Sequence, residues 1–415
     1  MDVMRLGRAE RVLFGSILGL CKALGIWRYP VRRSGDVETM SLLDKAYWMH
    51  KASQPICRAR CGAGLEEHFR NAAQTPWDPP ALLESEAELT LSAVGDLISH
   101  PFLANSADSL YTEVQELIFG ADVAMANMEC VIQPDSARPL EFSSKSGPSL
   151  CLDGRSFDVI KGFRGRNFDF MSLASNHSLD LGADGVRSTQ KALQQSAIAF
   201  HGTNETAQQA RDALILECGA VRLGLLAFTF GLNGHAPPQA HPNLVNRTNL
   251  NDGERADLTL LEAQLAHCRA SQADFVVAQL HWGLEHEMYP TPEQVALAHH
   301  LAELGIDAVV GHHPHVVQPM EAYRTQRDPN RVVPIFYSLG NLTTPFSAPF
   351  LTESAVARFH LVKGRTQDGS PRTYVGSASQ HRVVQQADPK HRRLHLRARP
   401  GRGATPTRTY VSQDT

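Results

Sequence analysis

Cysteine is sparse in this 415-residue chain, an excess of charge of either sign is almost absent, and no apolar run is long. The seven cysteines (Cys21, Cys57, Cys61, Cys130, Cys151, Cys218, Cys268) are scattered and odd in number, which excludes the dense framework of a small disulfide-held scaffold. Most of them read as reduced core residues. Cys57 and Cys61 stand four apart and fit one helix face, but no second Cys or His pair at zinc spacing accompanies them, so a structural role is the default. A formal net charge of −3 gives no molecule-wide field, so no nucleic-acid partner is expected and any role at an anionic surface must be local. The apolar stretch from Val12 to Cys21, interrupted by Lys22 and resumed through Trp27, is too short to span a bilayer comfortably. Arginines flank it on both sides and no clean small-x-small cleavage site follows, which counts against a degenerate signal peptide. A helix lying on a membrane surface or docked on the protein body fits better. The expectation is therefore a cytoplasmic chain, or one associated with a membrane through residues 12–27.

What is present is enough apolar material, 42% of the chain, for a substantial core. Residues 1–85 read as a helical N-terminal extension, with a helix-like piece around Leu65 to Ala73 and a Pro-rich linker holding Pro76, Pro79 and Pro80. Residues 86–362 read as the main domain. Residues 363–415 read as a last strand followed by a basic tail, expected to be disordered, with Lys390, Arg392, Arg393, Arg397, Arg399 and Arg402 among Pro and Gly.

Within the main domain one layout recurs. An apolar run from Leu89 to Val94 stops at Gly95-Asp96; Val123 to Met128 runs into Glu129, Phe168 to Ala174 into Asn176-His177, Phe275 to Leu280 into His281, and Ala308 to Val310 into Gly311-His312-His313. Each reads as a short buried strand with polar chemistry at its C-terminal end. Helical patterns at Ala183 to Gln195 and Leu258 to Ala270 separate them, as crossover connections do, so the fold class is α/β. Thr291-Pro292-Glu293-Gln294 predicts a helix start, with a Thr N-cap, proline at the first helical position and Gln three residues after the cap; Gly305 predicts its end.

In open α/β sheets, ligands bind beyond the carboxyl ends of the strands, so side chains repeated there should converge. Asp96 and Glu129 offer hard oxygens, Asn176 an amide oxygen, and His281, His313 and His315 imidazole nitrogens, a mixture that suits Zn, Mn or Fe better than Ca or Mg. His313-Pro314-His315 places two rings at i, i+2 on one side of a chain leaving a strand, with His312 directed the other way. Six ligands exceed the need of one tetrahedral ion, so two ions are expected. His177, next to Asn176, is the candidate acid that protonates a leaving group.

Six ordered motifs carry a resemblance: Ala93-Val94-Gly95-Asp96, Ala126-Asn127-Met128-Glu129, Leu173 to Asp180, His281-Trp282-Gly283-Leu284-Glu285, Gly311-His312-His313-Pro314-His315 and Tyr337-Ser338-Leu339-Gly340-Asn341. In order and spacing, over about Glu86 to Leu361, the chain resembles the CapA (poly-γ-glutamate capsule-synthesis) family. That family looks like a branch of the calcineurin-like metallophosphoesterases, which implies a pair of packed β-sheets flanked by helices around a dinuclear metal site. Ser175 replaces the first Asn of the usual Asn-Asn-His, and no Asp-x-His follows the first strand, which removes one phosphoesterase ligand. Glu285, Asp180 and Asn341 read either as groups that orient ligands or as capping and turn residues. The resemblance implies a metal-dependent hydrolase of phosphoesters or amides in capsule or poly-γ-glutamate biosynthesis, with an anionic polymer or phosphoester as substrate. The competing expectation is a non-catalytic accessory subunit of a membrane-bound polymer synthase that binds metal or polymer carboxylates.

Overall fold

A computed structural model of the chain describes residues 15–16, 19–20, 24–31, 40–77, 84–134, 149–344 and 348–399. Half of the apolar stretch at 12–27 and the tail from 400 onward lie outside the described residues. Among the described residues no helix is long and apolar enough to cross a membrane.

Two sheets make the centre of the fold. The first holds β1 (Glu84–Leu97), β2 (Val123–Met128), β7 (Phe170–Ser172) and β8 (Ala199–His201), in parallel, and is extended on the other side of β1 by β16 (Glu353–Arg365), β17 (Pro371–Asp388) and β18 (Arg393–Ala398), in antiparallel; β15 (Asn341–Thr343) joins the end of β1. The second runs β13 (Met320–Arg324), β14 (Val332–Phe336), β12 (Ala308–His312), β11 (Phe275–His281), β10 (Val221–Thr229) and β9 (Leu214–Cys218), with β10, β11, β12 and β14 parallel. Two short ribbons, β3 (Val131–Ile132) with β4 (Cys151–Leu152) and β5 (Gly162–Phe163) with β6 (Arg166–Asn167), stand apart from both.

Period-two side-chain alternation explains the layering. Leu89, Leu91 and Ala93 of β1, Val123 and Met125 of β2, and Phe275 and Val277 of β11 meet in one apolar cluster between the sheets. The intervening Val94, Ala124 and Ala126 face a second cluster with Ile118, Phe157, Ile160 and Leu193 from helices. Val276, Ala278 and Leu280 face a third, with Leu65 and Phe69, Leu261 and Leu265, and Val295 and Leu301. Both faces of the parallel strands are buried, which is why their sequences read as continuous apolar runs rather than as alternation. The order is helices, sheet, sheet, helices.

The helix Pro292–Leu304 begins and ends as its residues dictate: the Thr291 hydroxyl accepts from the Gln294 amide at 3.1 Å, and Gly305 closes it at φ 127°. The helices Leu42–Ser53 and Leu65–Ala72 of the N-terminal extension pack on the same body. Leu65 and Phe69 enter the second sheet's helix-side core, and Lys51 Nζ meets Glu287 Oε1 at 2.8 Å with both side chains buried.

The C-terminal part differs from the expectation. The boundary placed at 362 falls inside β16, and strand pairing continues to Ala398. Arg393 and Arg397 of the basic run alternate with Leu394 and Leu396, which are fully buried against the first sheet's helix side. Arg397 and Arg399 pair with Glu113 and Glu353 at 3.2 and 3.0 Å. A period-two pattern lay inside what composition marked as a tail.

Candidate metal centre

The carboxyl ends of β1, β2, β11 and β12 open onto one crevice, because the two sheets stack with those ends on the same side. Close backbone approach makes this possible. A Cβ on Gly95 would stand 2.1 Å from the Gly340 carbonyl oxygen, and one on Gly311 2.0 Å from that of Tyr337; only glycine permits either contact.

Asp96, at the end of β1, is fully buried. Its Oδ1 accepts from Asn127 Nδ2 at 2.9 Å, and its Oδ2 accepts from the His313 backbone amide at 3.1 Å. His312 Nδ1 lies 2.8 Å from Oδ1, near enough to pair as charges, though the ring is not aligned for a hydrogen bond. His312 therefore turns toward Asp96, not away from the crevice as strand alternation suggested. Burial works to raise the Asp96 carboxyl, but His312, His281 and His315 outweigh it and hold the group below the usual carboxylate range.

Glu129, one residue beyond β2, is also fully buried, and neither carboxylate oxygen has a hydrogen-bond partner. Oε1 stands 3.5 Å from His281 Nε2 and Oε2 3.8 Å from His315 Nδ1. Burial pushes its carboxyl well above the ordinary value, against the pull of His315. His281 Nε2 bonds Asn176 Oδ1 at 2.8 Å, and burial depresses His281 to about 3. The His313 ring packs on Phe230 and His281, at centroid distances of 4.5 and 4.9 Å. Its Nδ1 lacks a partner, and burial takes its pKa well below the ordinary value. His315 Nδ1 bonds Asn341 Oδ1 at 2.8 Å; burial works to lower its pKa, but Glu129, Glu285 and Asp96 raise it on balance.

His313 and His315 do share one side of the chain, yet not through extended backbone. Their φ values are 94° and 58°, the left-handed region that non-glycine residues rarely occupy and that concentrates at functional sites.

Three overlapping sets of ligand atoms lie within 4.8 Å of one another: Asp96, Glu129 and His315; Glu129, His281 and His313; Glu285, His313 and His315. Five of the six sequence-predicted ligands thus come together with Glu285, and the sixth, Asn176, touches His281. A buried carboxylate with both oxygens unpaired is costly unless a countercharge meets it. The donor set of carboxylate oxygens and imidazole nitrogens around Glu129 fits a divalent cation.

The bacterial capsule synthesis family model PGA_cap matches residues 90–345, a span that holds every one of these residues and well over half of the chain. The chain belongs to this family. Among the relatives of this PGA_cap member, the capsule biosynthesis protein CapA of Bacillus anthracis is 25% identical over 324 residues, 74% of each chain. The PGA biosynthesis protein CapA of Bacillus subtilis strain 168 is 27% identical over 295 residues, 69% of this chain and 72% of its own. A Staphylococcus aureus protein solved in complex with α-ketoglutarate covers 71% of this chain and 54% of its own at 14% identity and a TM-score of 0.39, too loose a likeness to argue from.

In this PGA_cap chain His177 sits at the rim of the same crevice. Its Nδ1 bonds Asp180 Oδ2 at 2.7 Å, and its Nε2 lies 3.4 Å from Asn233 Nδ2. Burial works against protonation of the ring, but the Asp180 carboxylate outweighs it and raises the pKa to about 9. Asp180 also accepts from the Leu150 amide at 2.6 Å, so it orients His177 from a fixed position.

Three participants went unassigned in the sequence reading. Asn127 lies inside the Ala126-Asn127-Met128-Glu129 motif and grips Asp96, but a strand asparagine has no signal of its own. Asn233, with φ 52°, is in a loop after β10 and carries no motif. His286, whose ring lies tilted against that of His315 with centroids 5.9 Å apart, follows Glu285 directly, so only its neighbour pointed to it.

Proposed function

We propose that this PGA_cap protein is a metal-dependent hydrolase acting on a phosphoester or an amide in the biosynthesis of an anionic capsule polymer such as poly-γ-glutamate. The observation that carries the reading is the Glu129 carboxyl group, buried without a hydrogen bond among His281, His313 and His315. Asp96, Glu129, Asn176, His281, His313 and His315 would hold the ion or ions, and Glu285 is added by its proximity to His313 and His315. A divalent ion bound there supplies Lewis acidity toward a phosphoryl or carbonyl oxygen and lowers the pKa of water. His177, its Nδ1 held by Asp180 at 2.7 Å and its pKa raised to about 9, would in its imidazolium form give a proton to a leaving group. Asn233 and Asn176, bonded to each other at 3.1 Å, keep the rim of the crevice in register with the ligands. The setting in capsule or poly-γ-glutamate synthesis follows the names of the two Bacillus relatives and the family.

The test is turnover of an aryl phosphodiester, and shortening of poly-γ-glutamate, by purified protein supplied with Mn²⁺ or Zn²⁺. The expected result is a rate lost with chelator and reduced about 10²- to 10⁴-fold in His177→Ala, the range usual for a general acid. Metal-dependent melting with no turnover of either substrate would contradict the hydrolase and support an accessory subunit of a polymer synthase.

A further inference from the structure

A second set of metal-ligand side chains gathers on the helix side of the second sheet, sharing no residue with the crevice. Glu321 of β13 is buried, and its Oε1 is approached by His299 Nε2 at 2.7 Å and His68 Nε2 at 2.9 Å. The other oxygen, Oε2, accepts from the Tyr337 hydroxyl at 2.6 Å. The three groups come from three separate elements: His68 from the helix Leu65–Ala72, His299 from the helix Pro292–Leu304, and Glu321 from the sheet edge. We propose that His68, His299 and Glu321 form a separate zinc-type cation site that fastens the N-terminal helix Leu65–Ala72 to the body of the protein.

The donor set is two imidazole nitrogens and one carboxylate oxygen, with the ligand atoms within 4.8 Å of one another. Around tetrahedral zinc, with bonds of about 2.0–2.1 Å, such atoms are spaced about 3.3 Å apart. The His–Glu distances of 2.7 and 2.9 Å fall a few tenths short of that, so a small outward movement of the two rings admits the ion. Their freedom to move is consistent with side-chain exposures of 36% for His68 and 25% for His299, which also leave a fourth position open to water. The partners behind the ligands are in place. Tyr337 fixes the free oxygen of Glu321, and the Tyr323 ring lies flat on His299 with centroids 4.0 Å apart, the kind of outer support that orients metal ligands. Glu321 needs no rearrangement to present Oε1, on which both imidazoles already converge.

The experiment uses the full chain, stripped with chelator and dialysed against Zn²⁺ at fixed free concentration, with bound zinc counted by elemental analysis. His68→Ala and His299→Ala, both at partly exposed positions, are each expected to bind one equivalent fewer than wild type, while His313→Ala retains that equivalent. A parallel Co²⁺ titration should give tetrahedral absorption that either His68→Ala or His299→Ala removes. If both variants keep native circular dichroism and bind as much zinc as wild type, or if the His313→Ala protein binds none, the site does not exist.

Discussion

A carboxylate without a partner is the least stable group in the crevice, and Glu129 has two unbonded oxygens and no exposed surface. Replacing it with glutamine keeps the shape of the side chain and removes an ionisable group whose charged form burial disfavours. Glu129→Gln is therefore expected to melt at or above the wild-type temperature without metal, yet to lose the rise that Mn²⁺ gives wild type. That rise corresponds to roughly 2.7 kcal/mol at a hundredfold excess over the dissociation constant. Differential scanning calorimetry with and without Mn²⁺ decides it, and an unchanged metal-dependent shift in the variant would remove Glu129 from the ligand set. His201 sets a different prediction, away from the crevice. It is buried, bonds Gln264 at 3.1 Å, and burial lowers its pKa to about 4. The unfolded chain takes up a proton near pH 6.5 that the folded one refuses until about pH 4, so stability is full above pH 6.5 and declines as the pH falls through that window. At most about 3 kcal/mol is at stake, from roughly 1.36 kcal/mol per pH unit. Urea midpoints at pH 7 and pH 5 should differ less in His201→Gln than in wild type; equal slopes would contradict this.

At the scale of single elements, strand ends position the chemistry and glycines let the elements meet. Gly311 lies in β12 where a Cβ would also come within 2.7 Å of the Trp282 ring nitrogen, so Gly311→Ala must push the Tyr337 backbone or the tryptophan aside. The expected loss is on the order of 3 kcal/mol, at the upper end for overpacking, read as a lower urea midpoint; a loss under about 0.5 kcal/mol would mean that the two strands are free to part. The positions of the candidate ligands were legible because each apolar run in the sequence stops at a polar residue. The direction of His312 was not, since alternation holds only for extended backbone and His313 at φ 94° breaks it. Glu285 was legible as the last residue of a motif and as a group that could orient ligands, but not as a member of the cluster, because the loop that brings it to His313 and His315 has no periodic pattern. A strand after residue 362 was expected, but β18 was hidden for a compositional reason: Arg393, His395 and Arg397 mask the buried Leu394 and Leu396 between them.

For the whole molecule, the two stacked sheets with helices outside were legible through buried-type strands separated by helical patterns and through the family resemblance, while the integration of the N-terminal helices was not. Those helices dock through few but buried contacts. Lys51 and the Tyr47 hydroxyl both reach Glu287 Oε1, at 2.8 and 3.1 Å, and the Trp48 ring nitrogen donates to Glu285 Oε2 at 2.5 Å. Lys51→Ala leaves Glu287 buried without its countercharge, a change that usually costs about 3–5 kcal/mol when one member of a buried pair is removed. The helix Leu42–Ser53 should then become sensitive to limited proteolysis under conditions where wild type resists; equal cleavage rates would contradict a structural role for the pair. Because Trp48 touches Glu285, this docking also bears on the crevice. The most direct measurement is anomalous diffraction from crystals grown with millimolar Mn²⁺. The predicted result is one or two manganese peaks within bonding distance of Asp96, Glu129, His281, His313 and His315. A well-ordered crevice with no anomalous density between those side chains would contradict the metal centre and the hydrolase built on it.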